Sequence, residues 1–183
     1  MISYCIASYR PTYSRMLIED LIRKTSVRFE ILVWLNVEDP GYEQFLYALM
    51  EEGTSLRIVG KTPNNIGMRA YPLLFSQARY ELVVQIDDDV VAVSRNIAEL
   101  GAEIFRKFPQ VKQLVADVWQ DEYTTGARPP MSVYRPYQLQ QGLYEGPIDG
   151  WFSMFHRSAL PLALDINGEY LPVGGILKNR LIA

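Results

Sequence analysis

The sequence predicts an α/β protein with three layers, a mainly parallel central sheet between two layers of helices. Two observations predict it. Short apolar runs alternate with segments of helical spacing through the first 118 residues, the pattern of successive strand–helix–strand units. Each of the main runs also breaks directly into a polar loop, as strands do at the edge of an open parallel sheet. Right-handed crossovers then place helices on both faces.

Ile2 to Ala7 is the first run, ending in Ser8-Tyr9-Arg10-Pro11. Leu17, Ile18, Leu21 and Ile22 recur at helical spacing, so a helix is expected from about Tyr13 to Lys24. Phe29 to Leu35 reads as a second buried strand, closed by Asn36-Val37-Glu38. Asp39-Pro40 opens the next helix as N-cap and first helical residue. Phe45, Leu46, Leu49 and Met50 form its apolar face, and Gly53 its C-terminal cap. The third cycle runs from a strand at Leu56 to Val59, through Thr62 to Gly67, into a helix over Met68 to Arg79. Pro72 fits that helix only in its first turn. Leu82 to Ile86 is the fourth strand and runs into Asp87-Asp88-Asp89. A helix marked by Ile97, Leu100, Ile104, Phe105 and Phe108 follows, with Ser94 as its expected cap, and then a fifth strand from Val111 to Val118.

The second half is less regular. Gln120 to Pro147 is rich in Gly, Pro, Tyr and Gln and reads as a long functional loop. A strand near Trp151 to Phe155 and a helix near Ser158 to Leu164 are expected after it. The 183 residues suit a single domain, with residues 1–118 as its ligand-binding half and 119–183 as the opposite half.

Composition narrows the function classes. Hydrophobic residues make up 49% and charged residues 21%, with a formal charge of −3 and no basic run longer than two. Nucleic acid and acidic membrane surfaces therefore have no electrostatic footprint. One cysteine, Cys5, permits no internal disulfide and suits a reducing compartment. The opening residues carry no charged leader before a long apolar run, and no run of about 18 apolar residues exists, so a soluble, cytoplasmic protein without a transmembrane segment is expected.

The polar clusters Ser8 to Arg10, Asn36 to Asp39, Asn64 to Arg69 and Asp87 to Asp89 each follow a predicted strand. In a parallel sheet all four emerge at the carboxyl edge, where ligands bind. Three adjacent carboxylates repel one another. Set between Val83-Val84-Gln85-Ile86 and Val90-Val91, they favour a cation over a solvated turn. Hard carboxylate oxygens suit Mg²⁺ or Mn²⁺, ions that also bridge phosphates.

A short strand ending in Ser8-Tyr9-Arg10, then Asn65-Ile66-Gly67, then an Asp-x-Asp closing a strand at Asp87 and Asp89, resembles the family 2 glycosyltransferases. The resemblance covers roughly residues 1–118, with a weaker echo from Gly150 to Leu160. It implies a GT-A fold, a nucleotide diphosphate sugar donor, Mn²⁺ or Mg²⁺, and transfer to an acceptor hydroxyl with inversion. The acceptor would be a glycan, lipid or small molecule. By the same resemblance Ser8, Tyr9 and Arg10, with Asn36 and Glu38, would flank the base. Asn65, Gly67 and Arg69 would lie near ribose and phosphate. Asp87 and Asp88 would approach the nucleotide sugar, and Asp87 and Asp89 the metal.

The chain departs from the family pattern at three places. Asn36-Val37-Glu38-Asp39 replaces an acidic pair, Arg69-Ala70-Tyr71-Pro72 replaces Ala-Arg-Asn, and no Glu-Asp follows Asp89. Asp121-Glu122 has the reverse order. Among the later carboxylates Asp149 is the candidate base, because Gly150-Trp151-Phe152 after it offers an aromatic wall for an acceptor; a turn carboxylate is the other reading. His156 reads as a strand-to-helix junction more than a ligand, and Cys5 as inert packing. Two alternatives stand beside transfer: a nucleotidyltransferase, against which the glycine-free Ser8 to Thr12 loop argues, and a non-catalytic nucleotide- or sugar-binding module.

Overall fold

The computed structural model describes residues 1–117, 130–138, 141–147 and 150–164. A six-stranded sheet forms its centre, built from β1 (Ile2–Ser8), β2 (Phe29–Leu35), β3 (Leu56–Lys61), β4 (Leu82–Ile86), β5 (Gln113–Val115) and β8 (Phe152–His156), in the order β3-β2-β1-β4-β8-β5. β1 pairs in parallel with both β2 and β4, and β2 with β3. β8 enters antiparallel between β4 and β5, so it alone among the six runs against the rest. A two-stranded ribbon, β6 (Arg135–Pro136) with β7 (Tyr144–Glu145), stands outside the sheet.

Alternation along the strands divides the core in two. Ile2, Tyr4 and Ile6 of β1, Ile31, Val33 and Leu35 of β2, and Val84 and Ile86 of β4 face one side. There they meet Leu17, Ile18 and Leu21 of α1 (Pro11–Lys24), Tyr42 and Leu46 of α2 (Pro40–Glu51), and Ala98 and Phe105 of α4 (Ile97–Lys107). Cys5, Leu32, Val83 and Phe155 face the other side, against Tyr71, Leu74 and Phe75 of α3 (Ala70–Gln77). This is the expected three-layer α/β/α arrangement with a mainly parallel sheet.

The differences from the sequence reading have local causes. α1 starts two residues before Tyr13 because Pro11, whose ring fixes φ near the helical value, occupies N1. Asp39 caps α2 as expected, its carboxylate accepting the Tyr42 N–H at 2.8 Å. The third helix is divided: a 3-10 turn spans Gly67–Arg69, and the α-helix begins at Ala70, which leaves Pro72 in its first turn. Asn96 and not Ser94 occupies the N-cap position of α4, without a side-chain capping hydrogen bond; it adopts φ 62°, a left-handed conformation that asparagine tolerates. Gly101 lies where any Cβ would meet the Met154 side chain at 2.7 Å, so α4 can seat closely on β8. β5 keeps only three residues of the run expected from Val111 to Val118, and Val118 lies outside the described residues. The segment after β8 is a 3-10 helix, Arg157–Ala163, with Pro161 inside it removing an amide donor. Among the described residues no helix is long and apolar enough to cross a membrane.

Candidate active site

β1 connects outward to β2 and β3 on one side and pairs with β4 on the other, so the strand order reverses between β1 and β4. In open α/β sheets the crevice outside the carboxyl ends at such a point is where ligands bind. A cleft of about 210 Å³ lies there, lined by Tyr9 and Arg10 after β1, Asn36 after β2, Asn65, Gly67 and Tyr71 from the β3–α3 connection, and Asp87, Asp88 and Asp89 after β4. Four loops far apart in sequence converge on it.

The three carboxylates have three different surroundings. Asp88 is buried, and its Oδ2 accepts the backbone N–H groups of Tyr9 and Arg10, both at 2.6 Å. It clamps the end of β1 to the end of β4. Asp89 is 47% exposed and forms an ion pair with Arg10 Nη1, which also reaches Asp88 Oδ1 at 3.3 Å. Asp87 accepts from Gln85 Nε2 at 2.8 Å and, at 3.4 Å, shares the Tyr71 hydroxyl with the nearer Ile86 carbonyl at 3.1 Å, while its own N–H donates to the Trp151 carbonyl at 2.9 Å. Burial, then the neighbouring Asp89 carboxylate, raise the Asp87 pKa from 3.8 to about 6, against the opposing Tyr71 hydrogen bond.

The β3–α3 loop is held from behind. Asn36, 1% exposed, accepts the Ile66 N–H at 3.2 Å through Oδ1. Asn65 Oδ1 accepts the Gly67 N–H at 2.7 Å, an Asx turn that places Gly67 at φ 55°. The Gly67 amide is thus already engaged within the loop. On the far side of Asp89 the connection to α4 is tethered to α1: buried Asp20 accepts the Val93 N–H at 2.8 Å, and Lys24 Nζ, 2.7 Å from Asp20, donates to the Val93 carbonyl.

The structure therefore gathers Tyr9, Arg10, Asn36, Asn65, Gly67, Asp87, Asp88 and Asp89 in one cleft. Ser8 is fully buried, and Glu38 and Arg69 are exposed; none of the three lines it. Asp149 lies outside the described residues, as do Asp121 and Glu122. Tyr71 was not singled out by sequence reasoning; a tyrosine one turn into a helix reads as core until the hydroxyl is seen on Asp87. Two other expectations resolve on position. His156 pairs with Leu82 at the amino end of β4, the opposite edge of the sheet, and its Nδ1 lies 2.8 Å from the Ser158 hydroxyl. Cys5 is fully buried, and burial pushes its thiol well above the ordinary value.

The donor set suits a divalent cation bound in part by substrate. Among the described residues no three His, Cys, Asp or Glu side chains group as a complete protein cage. Asp88 is engaged by two backbone amides, whereas Asp87 is held by side chains, Gln85 and Tyr71, and Asp89 by the exposed Arg10. Mg²⁺-type sites use one or two carboxylates, with phosphates and water completing the shell. The Asp87 pKa is raised chiefly by burial and secondarily by the Asp89 carboxylate, and a bound cation would oppose both.

A second, larger cavity of about 250 Å³ adjoins this edge, lined by Gln113 and Asp117 together with Tyr134, Tyr144 and Trp151. Trp151 links the two, since its carbonyl accepts the Asp87 N–H and its indole Nε1 donates to the Ala116 carbonyl at 3.1 Å. The smaller cleft holds three adjacent carboxylates, the larger cavity mainly aromatic and apolar side chains with Gln113 and Asp117.

No protein-family profile matches the chain, and no curated protein matches it by sequence. Solved structures do resemble it. The mannosyltransferase PcManGT from Pyrobaculum calidifontis, in complex with GDP-Man and Mn²⁺, superposes with a TM-score of 0.67 at 16% identity, over 87% of this chain and 45% of that one. S. aureus TarS 1-349 in complex with UDP-GlcNAc gives 0.70 at 14% identity, over 98% of this chain and 52% of that one. Glucosyl-3-phosphoglycerate synthase from Mycobacterium tuberculosis, with Mn²⁺, UDP and glucosyl-3-phosphoglycerate, gives 0.60 at 16% identity, over 100% and 64%. The chain thus spans between 45% and 64% of the length of these neighbours. With the sheet order, the switch-point cleft and these superpositions together, the chain has the fold of the GT-A glycosyltransferases.

Proposed function

We propose that this chain is a metal-dependent glycosyltransferase moving a sugar from a nucleotide diphosphate sugar to an acceptor hydroxyl, with inversion. One observation carries the reading: Asp87 and Asp89 face a single cleft at the switch point of a GT-A sheet. The solved neighbours bound to GDP-Man and UDP-GlcNAc support the donor class.

In this reading Asp89 and Asp87 hold Mn²⁺ or Mg²⁺, which when bound supplies positive charge at the departing diphosphate. Asp88 fixes the Tyr9–Arg10 backbone, so the floor of the cleft is set before the donor arrives. Tyr9 and the Asn36-supported Asn65–Gly67 turn shape the nucleotide side, and Tyr71 orients the Asp87 carboxylate. The acceptor enters from the aromatic cavity across Trp151, where rings present apolar faces to a sugar and Gln113 and Asp117 present polar groups. Asp149, two residues before Trp151 in sequence, is the proposed base that takes the acceptor proton.

Release of nucleoside diphosphate from a panel of UDP- and GDP-sugars, with Mn²⁺ and candidate saccharide acceptors, tests the proposal. The wild-type chain should turn over one donor only with the metal present, and Asp89→Asn should lower that rate by ~100-fold or more. Donor binding without turnover on any acceptor would instead identify a binding module.

A further inference from the structure

Arg10 has a task that donor recognition alone does not explain. Its backbone N–H is fixed on Asp88 Oδ2, which sets its Cα beside the end of β4. Its side chain stays 49% exposed and crosses to Asp89, itself 47% exposed. Among the described residues lining the cleft it is the one cationic side chain, set against three adjacent carboxylates. The protein's own cation therefore sits on the carboxylate most available to an incoming metal. Among the described residues only Nη1 of its guanidinium is hydrogen-bonded.

We propose that Arg10 is an exchangeable counter-ion: its guanidinium neutralises Asp89 until a divalent cation arrives with a nucleoside diphosphate, and then turns onto the diphosphate. The proposal rests on the donor reading above and adds that cation and nucleotide binding are coupled through the Arg10 side chain as well as through the charge of the metal itself. A guanidinium and a divalent ion compete for the same Asp89 oxygen, and the doubly charged ion prevails once bound. The displaced guanidinium finds in phosphate an acceptor that matches its planar fork, a match that an ammonium lacks. Only side-chain rotation is required, because the Arg10 amide stays on Asp88.

Magnitude limits the effect. An ion pair this exposed is weak, so displacing it costs free Mn²⁺ roughly two- to fivefold in affinity. When the nucleotide is present, the same guanidinium gains a partner. Linkage requires that the nucleotide then tighten Mn²⁺ by the factor by which Mn²⁺ tightens the nucleotide.

The test counts free Mn²⁺ by electron paramagnetic resonance in titrations of wild type, Arg10→Met and Arg10→Lys, without nucleotide and with saturating UDP or GDP. Circular dichroism verifies that each variant is folded. Arg10→Met should bind Mn²⁺ alone roughly two- to fivefold tighter than wild type. It should also lose the part of the nucleoside diphosphate's tightening that passes through Arg10, roughly two- to fivefold, with Arg10→Lys in between. Unchanged or weaker Mn²⁺ binding by Arg10→Met, while Asp89→Asn abolishes it, overturns the proposal and leaves the donor reading standing. Tighter Mn²⁺ binding with undiminished nucleotide coupling overturns the transfer onto diphosphate. Absence of Mn²⁺ binding by wild type with every nucleotide defeats both readings together.

Discussion

Asp87, Asp88 and Asp89 are adjacent in sequence, yet each is held by different partners, and each substitution should fail differently. Asp88 accepts two backbone amides from the β1 loop. Asp88→Ala leaves those two amides without their acceptor and should lower stability by about 2–4 kcal/mol, read as a shifted urea midpoint with an unchanged slope. Asp89→Asn, at a half-exposed side chain, should leave the midpoint within about 0.5 kcal/mol. Asp87 carries the pH dependence. Its folded pKa of about 6 lies above the unfolded 3.8, so between these values the native state binds more protons and stability falls as pH rises. Above about pH 6 the cost is complete, on the order of 2–3 kcal/mol, and a metal offsets it. Asp87→Asn should therefore remove the downward slope between pH 4 and 6 in metal-free protein. Wild-type Mn²⁺ affinity should fall as pH drops through about 6, where a proton competes for the carboxylate. A flat stability profile in both proteins would reject that assignment.

At the scale of elements, the β3–α3 turn joins fold and site. Gly67 sits at φ 55° with nothing within 4 Å of an added Cβ, so backbone conformation and not space restricts the position. Gly67→Val should cost about 1–2 kcal/mol through left-handed strain and distort the cleft rim, weakening donor binding. Gly67→Asn tolerates that conformation and should recover much of the loss in thermal midpoint and donor affinity. If Val and Asn behave alike, the positive φ is not what the position requires. The sequence made this turn legible as Asn65-Ile66-Gly67 after a strand, and Asp39-Pro40 likewise announced α2. Other supports left no local signal. Asn36 reads as a loop asparagine until it is seen under Ile66, and Asp20 reads as the polar face of α1 until it is seen on Val93. Glu99 on α4 accepts the Ser26 N–H at 2.6 Å and the Val27 N–H at 3.1 Å, which ties α4 to the segment before β2. These contacts span 30 to 73 residues, and periodicity carries no information at that range.

For the whole molecule, the strand–helix alternation of residues 1–118 was enough to predict a parallel three-layer sheet, because burial on both faces produces continuous apolar strands. It was not enough to place Phe152–His156 antiparallel between β4 and β5, since an apolar run has the same appearance in either direction. That insertion matters for function. It brings Trp151 against Asp87 and sets the aromatic cavity beside the carboxylate cleft, so the proposed donor and acceptor sides meet at one strand end. The central claim is that this junction binds a nucleoside diphosphate through a metal. Calorimetry of UDP and GDP against the wild-type chain and Asp89→Asn, each with and without Mn²⁺, measures it most directly. The account predicts that one nucleotide binds the wild type at least ~10-fold more tightly with Mn²⁺, and that Asp89→Asn loses this gain while remaining folded. Equal affinity with and without Mn²⁺, or no binding of either nucleotide, would contradict it.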